Sequence, residues 1–372
     1  MKQRKRQRKA EQNPVITALF ISIIILFLYA GLRPFNFFPS NQVKADKQGL
    51  QFGPRGIAYS KDVVQRADAR GLTLSFSLTF LTLPSGSIPR ILCLTNDKGD
   101  ELFSIGQWKK SIIFRAQKRT DFRAPALETS TGSLFEVGQT ADIAISSGAE
   151  KANIFVNGNL VRQSNELAGL ATILQNGFRL VVGNGPMGTQ SWKGIVHSII
   201  VYDRESSDGI ISRDIHPILS YSLADKEPHL VQNSADLNNP LIIPKAFRGI
   251  KREFLVPIWA IERSPSLAAD MIINLAGFVP FGIVAFLFFR QSRRHFSSFL
   301  LGLTSGIAMS LFIEVLQVFL PGRTSQMTDL LLNSLGTLIG VIAGIAAYKW
   351  IFEFRQYPQT YSRPQSSPKA SD

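Results

Sequence analysis

The stretch IEVLQVFLPGRTSQMTDLLLNSLGTLIG, residues 313–340, decides how the chain is organised. It contains the end of one apolar run, a short polar turn and the start of another apolar run. Polar side chains three or four residues apart share one face of a helix. Inside apolar helices such groups are costly, so they face the bundle interior, find partners or mark a site. The stretch therefore predicts two membrane-spanning helices with polar inner faces. Its polar members are Glu314, Gln317, Arg323, Asp329 and Asn333.

The basic residues lie beside apolar runs rather than on a separate patch. The net charge is +14, and the main clusters are MKQRKRQRK at residues 1–9 and RQSRRH at 290–295. Basic residues on one side of apolar spans mark the cytoplasmic side of a membrane. We therefore expect a protein of the cytoplasmic membrane and no nucleic-acid partner.

Residue counts and motifs exclude several chemistries. The single cysteine, Cys93, excludes an intramolecular disulfide. The four histidines show no metal-ligand spacing, so we expect no metal and no other cofactor. The sequence contains no HExxH, P-loop, GxSxG or dinucleotide-binding motif.

Four apolar runs are long enough to span a bilayer as helices. They are residues 14–32, 270–289, 297–320 and 329–350. The first follows a basic start, which fits a retained anchor or a cleaved signal peptide, and its length favours the anchor. Four spans place both termini, with a basic tail at 1–13 and a polar tail at 351–372, in the cytoplasm. The region between the first two spans and the turn at 321–328 then lie outside.

Residues 41–220 have the pattern of an extracytoplasmic β-sandwich. NIFVNGNLVR, residues 153–162, predicts a hairpin because Asn157 and Gly158 both tolerate positive φ. Short strands separated by Gly- and Asn-containing turns favour two antiparallel sheets, and no helical period interrupts them. The other predicted strands are 72–83, 90–96, 111–117, 141–146, 178–184 and 194–204.

The hairpin FVNG and the strand WKGIVHSIIVYDR, residues 192–204, resemble the laminin-G-like, concanavalin A-type jelly roll. The resemblance implies an all-β jelly-roll sandwich. Domains of this family bind glycans or proteins, and some hold calcium between Asp and Asn side chains. No matching acidic loop stands out here, so the resemblance implies an external glycan or protein ligand without identifying it.

The segment 221–268 connects the β region to the second span and has mixed composition. Its first part reads as loop, and its second part contains apolar patches broken by Pro244, Pro257 and Pro265. It fits two arrangements. It packs under the β domain, or it lies on the membrane surface with Trp259 at the interface.

Two spans begin with the same motif, D-x-x-x-N-x-x-G. Asp270, Asn274 and Gly277 match Asp329, Asn333 and Gly336 without a gap. The match fits a duplicated helical hairpin, or a coincidence in which each Asp caps a helix. Glycines also recur every four residues in the last span, which predicts a helix-contact face. They are Gly336, Gly340 and Gly344.

Helical rise places seven polar groups in the outer half of the expected bundle. They are Asp270, Asn274, Glu314, Gln317, Arg323, Asp329 and Asn333. One interpretation is a hydrogen-bonded network that holds the helices together. The other is an outward-opening pocket for the head group of a membrane lipid or a lipid-linked glycan.

N-x-x-G-F-x-P-F-G, from Asn274 to Gly282, and the motif from Glu314 to Gly336 resemble the VanZ family. The resemblance covers residues 255–350, and the RPF segment after the first span resembles the family's opening. It implies a bacterial membrane protein with a β domain inserted between its first two spans. The family's founder is linked to low-level resistance to the glycopeptide teicoplanin. The resemblance marks Asn274, Glu314, Gln317, Arg323, Asp329 and Asn333 as motif positions.

The sequence is compatible with three functions. The first, which we favour, is a non-enzymatic envelope protein whose helices bind a lipid or cell-wall component. The second is a membrane enzyme with Glu314 or Asp329 as general base and Arg323 on a phosphate. The third is a structural anchor for the β domain.

Overall fold

The computed structural model describes residues 13–33, 35–66, 71–84, 86–117, 126–206, 215–224, 229–258 and 265–350. Two compact units make up the chain. The helical unit takes the chain up to Gly31, Ala268–Ile313 and the residues from Thr328 onward. The sandwich unit takes Leu32–Leu267 and Glu314–Met327. The two predicted cytoplasmic tails, apart from Asn13, and Trp259 lie outside the described residues.

Four helices, α1, α3, α4 and α5, are each long and apolar enough to cross a membrane, as the sequence predicted. They are α1 (Pro14–Leu32), α3 (Pro265–Arg290), α4 (His295–Gln317) and α5 (Met327–Tyr348). The predicted end of α4, at residue 320, was too late. The N–H groups of Phe319 and Leu320 bond carbonyls three residues back, so the chain has already left the α-helix there.

In the helical unit, α5 lies against α3 through its glycines. A Cβ on Gly336 would lie 2.2 Å from the Leu275 carbonyl oxygen, and one on Gly340 would lie 2.1 Å from that of Val279. Hydrogen at these positions therefore allows the two backbones to meet. This confirms the predicted helix-contact face, since small residues let membrane helices approach closely.

Aromatic side chains pack α1 on α3. The rings of Phe20 and Phe288 stack at 4.5 Å, and those of Phe27 and Phe278 meet edge to face at 4.6 Å. Both arrangements are favoured geometries for ring pairs. The first span is thus held to the second by ring packing, while small residues hold the second to the fourth.

The sandwich unit consists of two antiparallel sheets. One has the order β1-β2-β13-β4-β9-β10-β11, with β14 also paired to β13, and the other has β15-β16-β3-β12-β5-β6-β7-β8. The strands are β1 (Val43–Asp46), β2 (Gly49–Phe52), β3 (Ala58–Ser60), β4 (Leu72–Phe80), β5 (Arg90–Thr95), β6 (Glu101–Trp108), β7 (Ser111–Ala116), β8 (Leu127–Ser130), β9 (Thr140–Ser147), β10 (Ala152–Val156), β11 (Asn159–Ser164), β12 (Arg179–Val182), β13 (Gly194–Tyr202), β14 (Leu219–Ser222), β15 (Leu230–Val231) and β16 (Leu241–Ile242).

Alternation along the strands builds the core between the sheets. In β4, Leu74, Phe76 and Leu78 are buried in the core, while Ser75 and Ser77 between them are only half-buried. The sandwich and the four apolar helices together confirm the predicted fold class.

Some local expectations hold and others fail. Asn157 and Gly158 adopt φ of 49° and 79°, as the predicted hairpin turn requires. A short helix, α2 (Leu170–Ile173), does interrupt the β region, contrary to expectation. Strand β15 lies in the part of the connecting segment read as loop, and it pairs with β16, which in turn pairs with the distant strand β3.

The second part of the connecting segment packs on the sandwich. Phe247 is 1% exposed and belongs to a buried cluster with Cys93 and Val181. Farther along, Lys251 Nζ donates to Asp100 Oδ1 at 2.6 Å. Of the two expected arrangements, packing against the β domain is therefore the one observed for these residues.

Candidate functional site

The seven predicted site residues divide between the two units. Asp270, Asn274, Asp329 and Asn333 belong to the helical unit, while Glu314, Gln317 and Arg323 belong to the sandwich unit. Three of the seven are buried, namely Glu314, Gln317 and Asn333, at 1%, 8% and 5% exposure.

Asn333 is the best-defined polar group of the helical unit. Its Nδ2 donates to Ser310 Oγ of α4 at 2.9 Å, and its backbone oxygen accepts from Thr337 Oγ1 at 2.8 Å. Its side-chain oxygen Oδ1 is buried and has no hydrogen-bond partner among the described residues. A buried acceptor without a donor costs about 1–3 kcal/mol. The amide therefore offers an acceptor that a bound donor group would satisfy.

Thr328 provides a second such atom. It is 6% exposed, and its hydroxyl is buried without a hydrogen-bond partner in the part of the chain that the structure describes. Helical rise puts it about 7.5 Å from Asn333 along α5. Both unsatisfied atoms thus lie in the first two turns of that helix.

The other polar residues of the helical unit are more open. Asp270 is exposed, and Asn274 and Asp329 are half-buried. Asp329 lies in the first turn of α5, where a carboxylate is favourable beside the helix N-terminus. The two copies of the D-x-x-x-N-x-x-G motif therefore have different surroundings. A Cβ on Gly277 would meet nothing within 4 Å, in contrast to one on Gly336.

Glu314 ties the turn between α4 and α5. Its Oε2 accepts from the backbone N–H of Gln326, the residue before α5, at 2.8 Å. The same turn is held from outside by Val256, which donates to the Ser325 carbonyl at 2.8 Å and accepts from the Met327 N–H at 3.1 Å. A buried carboxylate is costly unless it is bonded in this way. This contact gives Glu314 a structural role.

Arg323 is exposed on the same turn. One of its guanidinium nitrogens donates to the backbone oxygen of Arg33 at 2.9 Å. An arginine carries five N–H donors, so one bond to a carbonyl leaves most of its capacity for an anion. Arg323 therefore joins two segments of the sandwich unit and still presents its charge.

Sequence reasoning missed three residues of the helical site: Ser310, Thr328 and Thr337. All are buried, at 0%, 6% and 0% exposure. Ser310 lies four residues before Glu314, and Thr337 lies four residues after Asn333. Residues four apart share a helix face, so both could have been identified as neighbours of residues that the sequence analysis had named. Hydroxyls are common in membrane helices, however, and most of them give no signal in sequence.

Two surface features of the sandwich unit carry polar groups. Loops enclose a cavity of about 300 Å³. It is lined by Pro54, Ser87, Ile88, Pro89, Thr189, Gln190 and Ser191. The outward face of the first sheet carries Ser75, Ser77 and Ser198, all half-buried. The cavity, in which four of the seven lining residues are polar, and the hydroxyl-rich face both present neutral hydrogen-bonding groups.

Two family models match the chain. Residues 220–352 match VanZ/LLP1, and residues 66–212 match the concanavalin A-like lectin/glucanases superfamily. The chain therefore combines a VanZ-like membrane region with a concanavalin A-like β-sandwich. No curated protein matches it.

Several solved structures are similar to the chain. A Bacteroides ovatus protein to which carbohydrate binding is attributed is 11% identical, with a TM-score of 0.37, over 50% of this chain and 55% of that one. A SAP-like pentraxin of Limulus polyphemus is 13% identical, with a TM-score of 0.34, over 55% and 93%. The CBM40 of a Ruminococcus gnavus IT-sialidase is 14% identical, with a TM-score of 0.30, over 38% and 80%. Values this low support no functional conclusion.

Proposed function

We propose that the chain is a non-enzymatic envelope protein that binds a lipid or lipid-linked glycan through the polar groups of its helices. The observation that carries this is Asn333, whose Oδ1 is buried among apolar helices without a hydrogen-bond donor in the described residues. A ligand that reaches such an atom comes from the membrane and carries a donor, such as a hydroxyl of a head group.

The residues around Asn333 suit recognition rather than catalysis. Ser310, Thr328 and Thr337 supply hydroxyls, which form hydrogen bonds but do not titrate near neutral pH. Glu314, one of the two candidate general bases of the enzymatic alternative, already accepts from the Gln326 N–H. The proposal therefore assigns it to holding the turn between α4 and α5.

In the proposed topology, both termini and the 290–295 turn are cytoplasmic and the sandwich lies outside. The basic residues at 1–9 and 290–295 support this orientation. We further propose that the sandwich recognises a glycan or a protein. The lectin superfamily match, the hydroxyl-rich face and the polar loop cavity support that role.

Native mass spectrometry of the full chain in detergent tests the proposal. The variant Asn333→Leu keeps the branched shape and the number of side-chain heavy atoms and removes the amide. We expect the wild type to retain a defined lipid or lipid-linked glycan and the variant to lose it. Ser334→Ala is the matched control, since Ser334 donates to the Leu330 carbonyl of its own helix and should not matter for the ligand.

Equal retention by Asn333→Leu and the wild type would refute the proposed site. If Asn333→Leu folds poorly, Thr328→Val serves as the second variant. It removes the hydroxyl of Thr328, the other buried polar group without a partner among the described residues, with little change in volume. Retention of the same species by a folded Thr328→Val protein would count against the proposed ligand site.

A further inference from the structure

Three segments of the sandwich unit meet at one surface, and each is joined in sequence to an apolar helix. Residues 33–38 follow α1, residues 248–258 lead toward α3, and residues 318–326 connect α4 to α5. The contacts between them are specific. Arg323 donates to the Arg33 backbone oxygen at 2.9 Å, and Val256 pairs with Gln326.

We call this the arginine–aromatic surface, after its exposed side chains. They are Phe35, Phe37, Phe38, Arg248, Arg252, Phe254, Phe319 and Arg323.

The aromatic side chains of this surface are unusually open. Phe38 is 85% exposed, Phe254 50% and Phe319 48%. Large contiguous apolar exposure marks a contact surface. Aromatic residues beside the ends of apolar spans are typical of the layer where lipid head groups meet acyl chains. The covalent continuity with three helix ends puts these side chains beside that layer.

The charges of the surface are positive and crowded. The Arg252 guanidinium lies over the Phe319 ring, 5.3 Å from its centroid. Burial, and then the neighbouring charge of Arg248, lower the pKa of Arg252 from its ordinary value. The two guanidinium groups are therefore close enough for their charges to repel each other.

The acidic residues in and next to the three segments are already engaged. They are Glu253, within 248–258, and Glu314, near the end of α4. Glu253 pairs with Lys251, which also bonds Asp100, and Glu314 accepts from the Gln326 N–H. An anion from outside the protein would complement Arg248, Arg252 and Arg323.

We propose that the arginine–aromatic surface binds the head groups of anionic phospholipids, with Arg252 and Arg323 on the lipid phosphate. The planar guanidinium matches a phosphodiester through paired N–H donors, and the phenyl rings lie at the acyl boundary. The inference rests on the proposed function only in that the helices span a membrane. It uses none of the residues that form the proposed helical site. Its role is to hold the sandwich at the bilayer surface.

Lipid titration of the full chain, followed by native mass spectrometry, tests this site. Phosphatidylglycerol and phosphatidylcholine are added separately to delipidated protein. We expect the wild type to bind phosphatidylglycerol more tightly, and Arg252→Gln/Arg323→Gln to lose about tenfold in that affinity. Arg115→Gln/Arg162→Gln is the control of equal charge change, because Arg115 pairs with Glu128 on the second sheet at 2.8 Å and Arg162 donates to the Ser130 carbonyl at 3.1 Å. Unchanged phosphatidylglycerol binding by the folded double variant would overturn the proposal.

The two proposals fail separately. Asn333→Leu, measured in parallel, reports on the co-purifying ligand of the helical site. If it loses that ligand while the arginine variant binds phosphatidylglycerol normally, the helical site stands and this inference falls. If Asn333→Leu keeps its ligand while the arginine variant loses phosphatidylglycerol, the reverse holds.

A second measurement needs no arginine variant. Cys93 is the chain's single cysteine and is 0% exposed, so an introduced surface cysteine can be labelled selectively. Phe38→Cys carrying a bimane probe should be quenched by brominated lipids in nanodiscs. The same probe on Leu160→Cys should not be quenched. Leu160 is 50% exposed and lies on β11 of the first sheet. An unquenched probe at position 38 would overturn the proposal.

Discussion

Replacing Gly340 by alanine tests the packing of the helical unit. The Cβ of Gly340→Ala would lie 2.1 Å from the Val279 carbonyl oxygen and 2.9 Å from the Gly282 Cα. A carbon and a carbonyl oxygen rarely approach below roughly 3.3 Å. Because both obstructing atoms are backbone, no side chain can rotate away, and α3 and α5 must separate by about 1 Å.

The expected cost of Gly340→Ala is about 1–3 kcal/mol, the usual range for overpacking, and nearer the upper end because backbone must move. Alanine gains up to about 1 kcal/mol of helix propensity over glycine, which offsets part of this. The net effect is a loss of unfolding free energy. It is measured as a lower midpoint of thermal unfolding in detergent, followed by circular dichroism.

Gly277→Ala is the matched control for the same chemical change. Gly277 lies in α3, and a Cβ there would meet nothing within 4 Å. Only the propensity gain applies, so this variant should unfold at the same or a higher temperature than the wild type. Equal thermal stability of Gly340→Ala and Gly277→Ala would refute the close contact of the two backbones at Gly340.

Three further predictions concern the sandwich. Burial raises the pKa of Asp100, but hydrogen bonds from Lys251 and Asn96 outweigh it and leave that pKa below 3.8. The ionised Asp100 side chain therefore stabilises the folded state above pH 3.8, and this contribution is lost as the pH falls through the lower pKa that Asp100 has in the folded state. Asp100→Asn should flatten this part of the acid-unfolding curve followed by tryptophan fluorescence, and an unaltered curve would contradict it. Gln107→Ala should cost about 1–3 kcal/mol in urea unfolding, since it strands the buried Trp192 indole N–H that donates to Gln107 at 2.7 Å. Asn157→Ala should cost about 1 kcal/mol at φ 49° and Asn157→Gly less, and equal stability of the two variants would argue against the turn.

The parts of the fold that could be predicted are those set by local sequence. Long apolar runs identify membrane helices by length alone, and Asn157-Gly158 identifies a hairpin because few residues accept positive φ. Strand β16 could not be found this way. It is two residues long and exists because Leu241 pairs with Ser60, far away in sequence. The burial of Phe247 likewise depends on a distant sheet.

The amides and carboxylates of the candidate site could be predicted from the sequence, but their hydrogen-bond partners could not. Asn333 stands out because an amide is rare in an apolar helix. Its partner Ser310 does not, since a helical serine usually bonds its own helix, as Ser334 does with Leu330. Glu314 was singled out as a polar group in an apolar run, yet it accepts from a backbone N–H twelve residues on, which no side-chain pattern reveals.

A cryo-electron microscopy structure of the full chain in lipid nanodiscs, with an antibody fragment as fiducial, tests the central claim most directly. We expect lipid or lipid-linked glycan density with a donor atom within about 3 Å of Asn333 Oδ1. A protein side chain donating to that oxygen, or a water there with no lipid beside it, would contradict the account. Asn333 would then be part of a network that holds the bundle.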